Sequence, residues 1–144
     1  MSTDISVQTT SYQVEKRDWL LSQHGTDPGT TPAIVLYIPA FTPGTHYPNG
    51  YIPSGTVLGL MTSGAGAGMY GPYDDAATDG RQVAAGHQFS YTRAVGDNGS
   101  PLTRVGNALL VHGFVHPGRL PFQSGSGSLD TAARTDLKLI HYAA

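Results

Sequence analysis

The chain has 144 residues, a formal net charge of −2 and only 12% charged residues. This length predicts one domain, and the lack of cysteine excludes disulfides and thiolate metal sites. The 19 glycines and 10 prolines, together with a single glutamate (Glu15) and two lysines (Lys16 and Lys138), disfavour long exposed helices. The dispersed positive charges disfavour direct nucleic-acid binding, and no segment approaches the roughly 18 apolar residues of a membrane span.

Residues 1–31 differ in pattern from the rest and predict an extended N-terminal arm that binds a partner. Short apolar patches alternate with Ser, Thr and Gln, so the segment favours extended structure but has too little apolar area for a core of its own. A frayed terminus or a first strand of the same domain is an equally good interpretation. Residues 27–32, DPGTTP, predict a hinge. The apolar residues predicted to bind through the arm are Ile5, Val7, Tyr12, Val14, Trp19, Leu20 and Leu21.

Residues 32–144 predict a mainly β, β-rich α+β fold: a small β-barrel or sandwich-like domain with one short C-terminal helix. The apolar run 33–38 predicts a strand buried on both faces, and 87–91 alternates as a strand with one large and one small face. The apolar stripe over 129–137 predicts the helix, with Ser128 or Asp130 as its cap. Further strands are predicted at 56–61, 107–115 and 138–142, with a reversal between 63 and 80 and a turn at 96–101.

No residue pattern predicts a catalytic or metal site. His112 and His116 lie four apart in a β-like run, where their Cβ atoms would be about 13 Å apart, too far to share a metal readily. Asp74, Asp75 and Asp79 lack the regular spacing and the bidentate glutamate of a calcium loop, which favours turn aspartates that bond to nearby backbone. The sequence therefore predicts no enzyme, no metal and no cofactor.

Four phrases, in this order, resemble the lambda-type head decoration proteins of tailed bacteriophages. They are IPSGTVLG (52–59), YGPYDDAATDGRQVAAG (70–86), NALLVHGFVHPGRLP (107–121) and LDTAARTDLKLI (129–140). The resemblance covers about residues 50–142, roughly two thirds of the chain. This sequence departs from the family in its longer stretch at 18–32 and its enlarged HYPNGYIP loop at 46–53.

The resemblance implies a non-enzymatic protein that binds the expanded phage head as homotrimers at threefold and quasi-threefold positions. Its partner would be the major capsid protein, and it would stabilise the shell against the pressure of packaged DNA. The location implied is the outer surface of the virion head, with assembly in the host cytoplasm. An arm that adds main-chain hydrogen bonds to a neighbouring chain is compatible with that function.

Two other functions remain as alternatives at this point. The first is a glycan- or surface-binding β module that stacks sugars on Tyr47, Tyr51, Tyr70 and Tyr73, although tyrosine clusters also pack cores and interfaces. The second is a metal-dependent hydrolase built on the six histidines. Glycan binding lost on tyrosine substitution would favour the first, and unchanged stability with a chelator would count against the second.

Overall fold

Five strands pair edge to edge until the sheet closes on itself as a barrel, in a computed structural model that describes residues 14–143. The strands in chain order are β1 (Ala33–Tyr37), β2 (Tyr51–Ile52), β3 (Val57–Leu60), β4 (Tyr70–Pro72), β5 (Gly86–Gln88), β6 (Thr92–Arg93), β7 (Arg104–Leu110), β8 (Gly113–Val115) and β9 (Ile140–Tyr142). The α-helices are α1 (Pro43–His46) and α2 (Thr131–Asp136), and 3-10 turns cover Ile38–Ala40 and Pro117–Arg119. The predicted mainly β fold with a short helix near residue 130 is confirmed.

The barrel order is β1-β4-β3-β5-β7, and β7 returns to pair with β1. The β1–β7 pair is the longest, antiparallel from Ala33 opposite Ala108 to Tyr37 opposite Arg104. On its other side β1 pairs with β4 in parallel, and the remaining barrel pairs are antiparallel. Because each of the five strands has a neighbour on both sides, the barrel presents no free edge.

A smaller sheet lies against the barrel and includes part of the N-terminal segment. Strand β8 pairs in parallel with β9, and Leu20 forms an antiparallel bridge with Val115 on the other side of β8. The Leu21 N–H donates to the Phe114 carbonyl at 3.1 Å, which extends this pairing. We call residues 20–21, β8 and β9 the outer sheet. Strands β2 and β6 form a separate two-stranded pair.

The two faces of the barrel wall bury side chains in two different cores. Side chains of neighbouring residues in one strand pack in different cores. Val57 and Leu110 belong to the first core, whereas Leu58 and Leu109 belong to the second. This division follows from the period-two alternation of side chains in a strand. The first core also holds Trp19, Tyr73, Val115, Ala133, Leu137 and Ile140, and therefore lies between the barrel, the outer sheet and α2. The second holds Ile34, Leu36, Ile38, Phe41, Tyr47 and Ile52.

The strand prediction at 33–38 is correct in position and wrong in burial. Ile34 and Leu36 are buried, but Val35 between them is 40% exposed, so β1 has one buried face. A closed barrel uses only alternate side chains of a strand for its interior, and among residues 14–143 nothing fully covers Val35 on the other face of β1. The element also ends at Tyr37, because a 3-10 turn begins at Ile38 before Pro39.

Two other strand predictions need correction. Of the predicted 87–91 strand, only His87 and Gln88 lie in a strand, β5, so the alternation does not continue to residue 91. Both residues are fully buried, so neither lies on an exposed face. The predicted strand 107–115 is two strands, β7 and β8, separated at Val111 and His112. Gly113 has φ +148°, a conformation that other residues rarely adopt, and it begins β8 in a different sheet. The strands near 56–61 and 138–142, the β3–β4 reversal and the turn at 96–101 are confirmed.

Helix α2 begins where the sequence places its cap. The Asp130 Oδ1 atom accepts hydrogen bonds from the Ala133 N–H at 2.7 Å and from the Tyr73 hydroxyl at 2.9 Å. Ala133 and Leu137 are buried in the first core, as the apolar stripe predicts. Asp130 therefore fixes both the start of α2 and the position of Tyr73, a buried residue that directly follows β4.

We expect Asp130→Ala to lower the free energy of unfolding by about 1–2 kcal/mol, because it removes a helix cap and leaves the Tyr73 hydroxyl without its closest partner. Urea unfolding measures the change. Asp130→Asn is the matched control and should lose less, since its amide oxygen still accepts the Ala133 N–H. Equal losses in the two variants would contradict this role for the cap.

Candidate interaction surface

The residues of the predicted arm fall into three groups. Ile5, Val7 and Tyr12 lie outside the described residues. Val14 and Leu21 are 68% and 43% exposed, while Leu20 is half-buried against the first core. Trp19 is 1% exposed and belongs to that core. The arm prediction is therefore wrong for Trp19, and residues 19–21 follow the alternative in which this segment is an extended part of the same domain.

Trp19 is fixed on all sides by neighbours from distant parts of the chain. Its indole Nε1–H donates to the Ser54 hydroxyl at 3.2 Å, and its ring lies 5.5 Å from that of His87. The Trp19 carbonyl accepts the His116 N–H at 2.8 Å. A Cβ on Gly55 would lie 3.0 Å from the indole nitrogen, so a glycine there makes room for the ring. A side chain held in this way is not available to a partner.

The outward side of the outer sheet exposes apolar and histidine side chains. Val115, Gly113 and Ile140 face the first core, whereas Phe114 and its partner across the strands, His141, point outward. Phe114 is 40% exposed and Leu139 is 67% exposed. We call this surface the outer face, formed by Leu21, His24, His112, Phe114, Leu139 and His141. In the part of the chain that the structure describes, β8 is the one strand that pairs with β9, and the Ile140 N–H donates to the Leu137 carbonyl at 3.3 Å.

Aromatic contacts order the centre of the outer face. The Phe114 ring centroid lies 5.8 Å from both His24 and His141, and His24 lies 4.7 Å from His112 in an edge-to-face arrangement. Exposed apolar side chains clustered on one face are characteristic of protein interaction sites, whereas single exposed apolar residues are ordinary. Large apolar side chains are also exposed elsewhere in the described chain, at Val14, Val35, Leu60, Val83 and Tyr91.

Two other histidines are buried and connect loops to the barrel. The His87 Nε2 accepts from the Tyr142 hydroxyl at 2.7 Å while its Nδ1–H donates to the Gly55 carbonyl at 3.0 Å, and burial lowers the pKa of His87 to about 4. Nδ1 of His46 accepts the Thr42 N–H at 2.8 Å, and burial lowers its pKa as well. Both imidazoles are therefore neutral at pH 7. His87 connects β5 with β9, and His46 connects α1 with the loop at Ser126.

The aspartates and tyrosines singled out in the sequence occupy ordinary structural positions. Asp74 accepts the Ala76 N–H and Asp79 accepts the Arg81 backbone and side chain, which confirms the turn interpretation. Tyr47 and Tyr73 are buried, so the four tyrosines of the glycan alternative do not form one exposed platform. Tyr51 instead pairs with Tyr91 at 5.5 Å, a contact that the sequence did not indicate.

Within residues 14–143, no three or more His, Asp or Glu side chains converge in a way that would hold a metal ion. None of the helices in this part of the chain has the length and apolar character needed to cross a bilayer. Sequence reasoning missed the outer face because its members come from three separate segments, 21–24, 112–114 and 139–141. Its one available signal was Phe114, an aromatic residue between the inward positions Gly113 and Val115.

No family model, curated protein or solved structure matches this chain.

Proposed function

We propose that this chain is a head decoration protein of a tailed bacteriophage that binds the expanded capsid shell as a homotrimer and stabilises it. The ordered phrases within residues 50–142 support this proposal by their resemblance to that family. The observation that carries the docking step is the outer face, where Leu21, Phe114 and Leu139 remain exposed. An exposed apolar face suits attachment to another protein.

The N-terminal segment divides into an anchor and the residues that precede it. Trp19 and Leu20 hold the segment on the body, and the Glu15 carboxylate accepts the Tyr91 N–H at 2.6 Å, so a docking arm would consist of residues before Val14. A shorter arm costs less to order, since each residue fixed costs about 1–2 kcal/mol of backbone entropy. In a trimer, the first bound arm raises the effective concentration of the other two, so weak individual contacts give durable attachment.

Mixing the purified protein with expanded and unexpanded shells tests the proposal. We expect saturable binding to expanded shells, with three copies at each threefold and quasi-threefold position, and little uptake by unexpanded shells. Occupancy is measured by sedimentation and by electron microscopy of the decorated shells. Equal uptake by both shell forms, or no uptake by expanded shells, would refute the proposal.

We expect Phe114→Asp to weaken shell binding by on the order of tenfold or more, because it places a charge at the centre of an apolar contact. Leu139→Asp should act in the same direction through a residue that is 67% exposed, which limits any effect on folding. Val83→Asp, at a site 56% exposed on a different part of the surface, is the matched control. Binding unchanged in both outer-face variants would remove the outer face from the proposal.

Deleting residues 2–13 tests the arm without touching the described body. This deletion should lower shell occupancy while the protein retains its cooperative thermal unfolding. Deletion of residues 2–21 is a poorer test, because it also removes Trp19 from the first core. A protein lacking residues 2–13 that saturates expanded shells with unaltered affinity would show that the arm is dispensable.

A further inference from the structure

His24 and His112 are 88 positions apart in sequence, yet their rings are neighbours on the protein surface. Their centroids lie 4.7 Å apart with an interplanar angle of 74°. Within residues 14–143, the backbone N–H of His24 donates to the Ser22 hydroxyl, and neither imidazole takes part in a hydrogen bond. The ring nitrogens are therefore free to bind a ligand.

The backbone holds this pair in place through two glycines that follow the two histidines. A Cβ on Gly25 would lie only 1.9 Å from the His112 carbonyl oxygen, and a Cβ on Gly113 would lie 2.8 Å from the His24 carbonyl oxygen. Both glycines have positive φ, at +85° and +148°. The main chains at 24–25 and 112–113 are therefore in direct contact. A side chain at either glycine would overlap the main chain of the opposite segment.

The spacing of the rings suits two imidazoles bound to adjacent positions of one metal ion. With metal–nitrogen bonds of about 2.0–2.1 Å, two such rings have centroids about 4.5–5 Å apart. Neutral imidazole is a good ligand for zinc, nickel and copper ions, whereas calcium and magnesium ions prefer oxygen ligands. Two imidazoles whose main chains are in contact lose less entropy on binding one ion than two independent side chains do, so the second imidazole adds affinity by chelation.

We propose that His24 and His112 form a two-imidazole binding site for a divalent transition-metal ion, with water in the remaining coordination positions. This site goes beyond the proposed shell binding and does not depend on it. It is also compatible with the lack of any three-residue ligand cluster in the described chain.

Titration of the tag-free full-length protein with Cu²⁺ and Zn²⁺ tests the site. Calorimetry should give one ion per chain, and the electron paramagnetic resonance spectrum of the Cu²⁺ form should show coupling to two imidazole nitrogens. His24→Ala and His112→Ala should each weaken binding by on the order of 100-fold, since each removes one arm of the chelate. The matched control, His141→Ala on the same face, should bind as the unaltered protein does.

Thermal unfolding without metal shows whether each variant is folded, and addition of Zn²⁺ supplies a second readout. Bound metal should raise the midpoint of the unaltered protein and of the His141 variant, but not that of the His24 or His112 variant. A copper spectrum with a single nitrogen, or the same affinity in the unaltered protein and both single variants, would overturn the proposal. Equal weakening by His141→Ala would also overturn it.

Discussion

Replacing Trp19 by alanine should lower the free energy of unfolding by about 3–5 kcal/mol, the range for removing a large aromatic side chain from a core. The indole is 1% exposed and packs in the first core against elements far away in the sequence. Its removal leaves a cavity between the barrel and the outer sheet, and the ring of His87 loses a packing partner. Urea denaturation followed by circular dichroism measures the loss.

Two variants separate packing from hydrogen bonding and from position in the N-terminal segment. Trp19→Phe keeps most of the ring volume and loses the bond to Ser54, whose hydroxyl still donates to the Phe89 carbonyl, so its loss should be smaller than that of alanine. Leu21→Ala, two residues along and 43% exposed, should change stability by about 0.5 kcal/mol or less. A Trp19→Ala loss no larger than that of Leu21→Ala would mean that Trp19 is not part of the core.

Stability should fall as the solution is acidified from pH 6.5 to pH 4, chiefly because of His87. Burial lowers the pKa of His87 from 6.5 to about 4, so across this window the unfolded chain binds a proton that the folded chain does not. Lower pH therefore favours unfolding. The contribution of His87 to the free energy of unfolding reaches its full value above pH 6.5. At about 1.4 kcal/mol for each pH unit, His87 accounts for a loss of about 3 kcal/mol by pH 4.

Urea denaturation at pH 7, 5.5 and 4 measures this dependence. His87→Gln cannot take up the proton, so its stability should vary less with pH than that of the unaltered protein; the lowered pKa of His46 leaves a residual slope. Tyr142→Phe removes the donor to His87 Nε2 but not the burial, and should keep the steep slope. His141→Gln is the exposed control. A slope in His87→Gln equal to that of the unaltered protein would assign the acid sensitivity to other groups.

The sequence contains enough local information to predict the fold class and several elements. Scarce Lys and Glu, frequent turn residues and β-branched runs indicate a mainly β chain, and Asp130 marks the start of α2 because capping depends on residues three positions apart. These features depend on short-range geometry. The positions of β3 and β9 are predicted for the same reason.

The sequence alone does not show which face of a strand or helix is covered by a part of the chain that is distant in sequence. Gln88 has the polarity of a surface residue, yet it is fully buried, where its amide donates to the Ile52 and Ser90 carbonyls. Trp19 is recognisable as bulky and apolar, but its position at the start of the short apolar run 19–21 does not distinguish a core residue from a partner contact. The outer face and the pairing of His24 with His112 depend in the same way on tertiary contacts.

Signals for those contacts were present but too common to interpret alone. Both members of the histidine pair are followed directly by glycine, at His24–Gly25 and His112–Gly113. A His-Gly dipeptide has no specific meaning until the close approach of two backbones is known. The strand break at Gly113 likewise becomes readable only from its φ of +148°.

The β1–β7 closure has a consequence for the order of folding events. Ala33 pairs with Ala108 across more than half of the chain, and His87 meets Tyr142 near its last described residues. Contacts of such long sequence separation slow the search for the native state, so refolding should take milliseconds to seconds rather than microseconds. On the ribosome, the barrel cannot close until β7 has left the exit tunnel, and the first core cannot be completed until β9 has followed.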